Sequence, residues 1–321
     1  MRAETRLRLL QQARRASARL PGTWDRRLRE TAKVVVDYRG ARASGLRGAR
    51  FRRLGRHSRL LVAPFGDGQL LVDGRDDEIG RVVFMTGGYE RVYMRTALDY
   101  LRRTTGTQVA GSCFLDVGAN IGTSTVDALL HFGFGRAVCI EPEPANIRLL
   151  TMNLTLNGLG GRADVLALAL SDRDGTAALS RSSRNSGDHR IAEAVAAAAH
   201  DAEPVRLARL DSLVAEGTVR LDDVGLVWID SQGHEPFALA GATTVTERGL
   251  PVLLEYSPAS LEATGAGRLL EDIVAASYTT VVDVHRLAAG CHGSAVTSAH
   301  RVGRLAEQYR GIDHTDLLLL R

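Results

Sequence analysis

The strongest constraint on this chain is the alternation that begins after residue 111, where short apolar runs trade places with stretches of helical spacing. Strands are expected at Cys113–Val117, Ala137–Glu141, Asp164–Leu168, Leu226–Asp230, Val252–Tyr256, Thr279–Asp283 and Asp316–Leu320. Four of these runs lack polar alternation, as parallel strands covered on both faces do. Helices are expected between them, at Thr123–Phe132, Ala145–Leu156, Phe237–Arg248 and Ser260–Ser277. Strand–helix alternation predicts an α/β fold built on a doubly wound sheet. Arg181–Pro204 interrupts the pattern with an insertion in which Ile191–His200 has helical spacing.

Upstream the pattern differs. Arg2–Leu20 can be drawn as a moderately amphipathic helix, and Gly40–Gly48 reads as a flexible connection. Leu60–Ala63 and Gln69–Val72 flank Phe65-Gly66-Asp67-Gly68, a good hairpin turn. Ile79–Phe84 fits either a strand or a helical turn. Tyr89–Arg102 has helical spacing and is expected to pack on the main sheet and help cover a ligand. Three parts follow: a basic helical extension over 1–58, a hairpin and helix over 59–110, and the alternating region over 111–321.

The net charge of +4 conceals an asymmetry. Residues 1–56 hold 17 Lys and Arg against 4 Asp and Glu, so the remaining residues carry 24 basic and 33 acidic groups. The basic extension reads first as a solvated helix packed on the main domain or a partner. An anionic membrane surface, nucleic acid or an organelle address are its other readings. No apolar run approaches the ~18 to 20 residues that span a bilayer, and no secretory signal is evident, so a cytoplasmic protein is expected. Cys113, Cys139 and Cys291 are too few and too scattered for a disulfide framework or a zinc site. The first two are expected as buried thiols and the third in a loop.

The chemistry is concentrated at Asp116–Gly122, which reads D-V-G-A-N-I-G between a strand and a helix. Asp116 and Gly118 should arrive at the carboxyl edge of the first strand, where ligands bind in open α/β sheets. Gly118 and Gly122 bracket a tight turn, with Asn120 inside it, and the amides of the following helix point to the same place. The spacing G-x-x-x-G differs from the G-x-G-x-x-G that seats a pyrophosphate. The acid ahead of it would repel phosphates and suits a ligand bearing an amine and a sulfonium. Glu141 ends the next strand, 19 residues after Gly122, where a carboxylate can accept both ribose hydroxyls. Together these features point to S-adenosyl-L-methionine. Pro142 follows Glu141, Leu168 and Ala169 should wall the adenine, and Ser171 or Asp172 could bond its amino group. Asp172-Arg173-Asp174-Gly175 otherwise reads as a solvated turn. Asp230 ends the fourth strand near the transferable methyl, with His234 and Glu235 on the loop beyond it. These three are the candidates for aligning an acceptor and taking its proton, and Glu255 is a fourth. No compact Asp/Asn cluster suggests a metal, and none is expected.

Taken together the segments resemble the FkbM-type methyltransferases. The resemblance is carried by Asp116–Gly122, Glu141-Pro142, Leu210-Asp211-Ser212-Leu213 and Ile229–Glu235 followed by Gly241-Ala242. Gly87-Gly88-Tyr89-Glu90, Asn185-Ser186-Gly187 and Leu253-Leu254-Glu255 add to it, over roughly residues 80–320. The resemblance implies a class I fold, a Rossmann-like sheet of seven strands in the order 3-2-1-4-5-7-6 with the seventh antiparallel. It also implies O-methylation of a small-molecule hydroxyl, on a sugar or a secondary metabolite, by direct SN2 transfer. Two positions depart from the family pattern: Trp228 stands where Lys is usual, and Ser231-Gln232 stand where Val-Glu is usual.

Three rivals remain at this stage. A nucleic-acid methyltransferase would use the basic extension, but no aromatic-flanked tetrapeptide for a flipped base follows the fourth strand. A nicotinamide oxidoreductase is disfavoured by the glycine spacing. A non-catalytic binder would keep the adenosyl pocket without turnover.

Overall fold

The computed structural model of the protein describes residues 41–182, 185–192, 203–309 and 314–321. The helix expected over Arg2–Leu20 lies outside the described residues, as do residues 193–200 of the helix expected in the insertion. The chain divides into two units, one ending at Tyr89 and the other beginning at Glu90.

In the first unit, Ala41–Gly55 forms helix α1, although Gly40–Gly48 reads as a connection in the sequence. Strands β1 (Leu60–Phe65) and β2 (Gly68–Asp73) pair antiparallel, with Phe65 opposite Gly68. Gly66 has φ +58° in the two-residue turn between them. Alternate residues of β1 are buried, as period-two geometry requires. Ile79–Thr86 resolves as helix α2, which stops at left-handed Gly87. Phe51 of α1 is fully buried, its ring 5.4 Å from that of Phe84.

The second unit opens with helix α3 (Arg91–Thr105) and then alternates. Its first half runs β3 (Cys113–Val117), α4 (Thr123–His131), β4 (Arg136–Ile140), α5 (Pro144–Leu156) and β5 (Ala163–Leu166). A four-stranded side sheet follows, from β6 (Ala169–Leu170), β7 (Gly175–Ser180), β8 (Arg190–Ala192) and β9 (Glu203–Ala208). Ile191, expected in a helix, therefore lies in a strand, where Leu179 is its antiparallel partner. Helix α6 (Leu210–Ala215) leads to β10 (Val224–Ile229), α7 (Glu235–Ala240), α8 (Thr243–Arg248) and β11 (Val252–Tyr256). The chain closes with α9 (Pro258–Thr264), α10 (Gly267–Ser277), β12 (Thr280–Asp283), α11 (Val284–Ala288), β13 (Val296–Ser298) and β14 (Thr315–Leu320).

The main sheet has eight strands in the order β13-β12-β14-β11-β10-β3-β4-β5. The resemblance implied seven. The extra member is β13, a three-residue strand paired antiparallel to the outer side of β12. Strands β3, β4, β5, β10 and β11 run parallel, and β14 inserts antiparallel between β11 and β12. Every residue of β3, β10 and β14 is buried, which is why these runs read as uninterrupted apolar sequence. The successive crossovers from β3 go to one side through β4 and β5, whereas β10 lies on its other side. The switch point falls between β3 and β10.

Two expected helices are each broken in two. Phe237–Arg248 breaks at Gly241-Ala242, where a Cβ on Gly241 would stand 1.9 Å from the Ser171 carbonyl oxygen. Asp211, in the L-D-x-L stretch, accepts the N–H and hydroxyl of both Thr243 and Thr244 and so caps α8. Ser260–Ser277 breaks at Gly265, which adopts φ +67°. Asp174 lies in an exposed bend, as expected, and also receives Arg209 N–H at 2.9 Å and Ser212 Oγ at 2.7 Å. Trp228 is core: it is 4% exposed and meets Phe114 edge-on. Cys113 and Cys139 are buried and Cys291 is exposed, all three as free thiols. Burial pushes the Cys113 thiol up to about 11. No helix among the described residues is long and apolar enough to cross a membrane.

Candidate active site

At the carboxyl end of β3 the backbone turns through left-handed Gly118 (φ +83°), Asn120 (φ +50°) and Gly122 (φ +90°) into α4. Gly118 and Ala119 donate their N–H groups to the Ile140 carbonyl at the end of β4. Asn120 donates its backbone N–H to Glu141 Oε2 at 2.9 Å. Glu141 also accepts the Glu143 N–H at 2.9 Å and, more distantly, Asn146 Nδ2 at 3.5 Å. Burial pushes its carboxyl up to about 7, against the pull of these donors. Asp116 turns toward the helix, where Thr125 Oγ1 donates to it at 2.5 Å, and burial also lifts it to about 7.

A segment of the side sheet closes over this turn. The Ser186 carbonyl, between β7 and β8, accepts Asn120 Nδ2 at 2.7 Å and Asn146 Nδ2 at 3.1 Å. The small polar turn Asn185-Ser186-Gly187 is thus tied both to the glycine turn and to α5. Pro142 follows Glu141 on the way into α5. Leu168 and Ala169 are buried at the junction of β5 and the side sheet. Ser171 is fully buried, with its hydroxyl 3.0 Å from His234 Nε2 and 3.1 Å from Asp172 Oδ1.

Asp230 follows β10 immediately, and its N–H bonds the Val117 carbonyl at 2.9 Å. A Cβ on Gly118 would stand only 1.8 Å from the Asp230 carbonyl oxygen. The glycine turn and Asp230 are therefore in backbone contact across the switch point. Around Asp230 gather Glu235 and Glu255, which with it bring one oxygen each within 4.8 Å of one another. No compact acid cluster is legible in the sequence, because these residues come from three different elements. They are hard oxygen donors of the kind a divalent cation accepts. Burial foremost, then like charge, raises Glu255 well above the usual carboxylate range. Burial lifts Asp230 to about 6 and Glu235 to about 7.

The three loop candidates separate in their surroundings. Glu235 clasps its own loop, accepting Ser231 N–H at 2.8 Å and Gly233 N–H at 2.9 Å. His234 looks toward Ser171 and packs on the Phe237 ring, centroids 4.8 Å apart. Burial depresses its imidazole to about 4, so it is neutral at pH 7. Of the three, Asp230 is the one whose backbone meets the glycine turn, and its carboxylate converges with those of Glu235 and Glu255.

Several participants escaped the sequence reading. Asp316 of β14 sits opposite Glu255 in the antiparallel register and holds His285 Nε2 at 3.0 Å. Tyr93 of α3 stacks on the His285 ring at 3.7 Å. His314 lies between Glu255, 3.7 Å from Nδ1, and Glu90, 3.9 Å from Nε2. A charged residue heading a pure leucine run, as Asp316 does, was the available signal. Among the described residues, three non-glycines take left-handed backbone: Glu90, Asn120 and Gln232. All three border these groups, which is where stored strain tends to gather.

Residues 116–275 match the methyltransferase FkbM domain family. No curated protein matches the chain. Similar solved structures include the methyltransferase FkbM from Methylobacillus flagellatus KT, with 15% identity, a TM-score of 0.40, and coverage of 84% of this chain and 58% of that one. The chain thus spans less than two thirds of the Methylobacillus protein. Another is the O-methyltransferase from Bacillus cereus in complex with SAH, with 14% identity, a TM-score of 0.37, and coverage of 71% and 81%. A third is TYW2 from P. horikoshii in complex with MeSAdo, with 10% identity, a TM-score of 0.39, and coverage of 82% and 72%. Residues 116–275 of this chain therefore carry a methyltransferase FkbM domain.

Proposed function

We propose that the protein binds S-adenosyl-L-methionine and methylates a hydroxyl of a sugar or secondary metabolite. The observation that carries this reading is the contact of Gly118 with Asp230, which puts a cofactor-type turn and the Asp230 side chain on one edge of the sheet. The donor set fits an adenosyl ligand. A carboxylate offers about four acceptor positions, and Glu141 directs three toward Asn120, Glu143 and Asn146, leaving one for a ribose hydroxyl. Gly118, Asn120 and Gly122 shape the turn, with Asp116 bracing it through Thr125. Pro142, Leu168, Ala169 and Ser171 lie along the path an adenine would take.

When bound, the cofactor supplies a methyl group on a sulfonium, an electrophile that needs no further activation. The protein's share is alignment and proton removal. Asp230 orients the acceptor hydroxyl and takes its proton at a carboxylate oxygen. Glu235 holds the loop that aims Asp230, and neutral His234 fixes Ser171 on the adenine side.

Calorimetric titration with adenosylmethionine, adenosylhomocysteine and NAD tests the reading. Both adenosyl ligands should bind and NAD should not; NAD binding without either adenosyl ligand would end it. Turnover assays with hydroxylated small molecules then address the acceptor.

A further inference from the structure

Gln232 stands among the converging acids and carries no charge of its own. Its Nε2 lies 2.8 Å from Asp230 Oδ1 and 3.0 Å from Glu255 Oε2. An amide nitrogen has two hydrogens, so one group serves both carboxylates; turned over, the amide oxygen would face two acceptors. A single donor shared by two anions is the arrangement a small cation makes in an acidic cluster.

The backbone is built to keep it there. Gln232 adopts φ +53° and is followed by left-handed Gly233 at φ +96°. A left-handed non-glycine residue is strained and persists only where its surroundings over-determine it. Here Glu235 does so: its carboxylate grips the N–H groups of Ser231 and Gly233, the two residues flanking Gln232. With both flanks fixed, the side chain of residue 232 is directed at Asp230 and Glu255.

We propose that Gln232 is a positioning residue that fills the cation position between Asp230 and Glu255, so that the two carboxylates are set beside the glycine turn by an amide and not by a metal ion. What Asp230 does once so placed rests on the methyltransferase reading; the bridging does not.

The test adds Mn²⁺ alone to the full chain, as wild type, Gln232→Leu and Gln232→Glu, and follows bound ion by electron paramagnetic resonance. Gln232→Leu removes the donors at similar volume, and Gln232→Glu adds a fourth carboxyl to Asp230, Glu235 and Glu255. Saturable binding of one ion should appear in Gln232→Glu at an affinity at least about tenfold above wild type, with Gln232→Leu between them. Equal, tight binding of one Mn²⁺ by all three proteins would overturn the proposal. A merely structural residue would shift the melting temperature and leave Mn²⁺ affinity where it was. Should the variants fail to fold, the wild-type protein still decides. The side-chain amide protons of Gln232 should exchange slowly with water, and free exchange would refute the bridge. Adenosylhomocysteine titrated into wild type separates the two claims, since its failure to bind removes the methyltransferase reading and leaves the amide and Mn²⁺ results standing on their own.

Discussion

Asn120 donates its backbone N–H to Glu141 at 2.9 Å, so the acid at the end of one strand pins the strained residue in the turn after its neighbour. One carboxylate thereby shapes the glycine turn and keeps an acceptor position for a ligand hydroxyl. Glu141→Ala is expected to weaken adenosylhomocysteine by ~1 to 3 kcal/mol, the scale of hydrogen bonds to a charged group. Calorimetry measures this directly, and unchanged affinity would take Glu141 out of the site.

Asp230→Asn keeps the side-chain shape while removing the proton acceptor. Turnover should fall by about 10²- to 10⁴-fold, the usual contribution of a positioned base, while adenosylhomocysteine still binds. Full turnover in this variant would move the base elsewhere, with His314 and the His285–Asp316 pair the next groups to examine.

Gly118→Ala meets two obstacles at once. Its φ of +83° disfavours any Cβ, and that Cβ would stand 1.8 Å from the Asp230 carbonyl oxygen. A loss of more than about 2 kcal/mol in folding stability is expected, read as a lower urea midpoint with an unchanged slope. A neutral substitution would show that β3 and β10 do not meet as described.

Stability should be greater at about pH 5 than at neutrality. Burial pushes Asp116, Glu141 and Glu235 each up to about 7, whereas in the unfolded chain such groups ionise near ~4. The folded state therefore holds extra protons between those limits, and stability falls as pH rises through about 7. Burial depresses His234 to about 4, so the unfolded chain takes up its proton first, near ~6.5. That single histidine opposes three carboxyls over the same range, so net stability still falls as pH rises from about 5 to 7. Urea unfolding at about pH 5, 6 and 8.5 should give midpoints that fall in that order. A steady rise to the alkaline end would contradict these burials.

Much of this protein is local in origin. The runs C-F-L-D-V, V-G-L-V-W-I and D-L-L-L-L announce strands buried on both faces, and strand–helix alternation leaves an α/β sheet as the outcome. The turn at Gly118–Gly122 and the acid at Glu141 are likewise legible, because backbone chirality and strand length fix where such residues emerge. Tertiary structure decided the remainder. Helices break at Gly241 and Gly265, the first because the Ser171 carbonyl lies against it, which no periodicity records. The acid cluster forms only when β10, β11 and α7 bring Asp230, Glu255 and Glu235 together, and β14 adds Asp316 by antiparallel register. His234 and Asp230 look alike as candidates in the sequence, yet packing turns one toward Ser171 and leaves the other beside Gly118. Sequence spacing sets which strand end a residue occupies; desolvation and neighbours from distant segments set its charge and its partners, and these exist only once the sheet has closed.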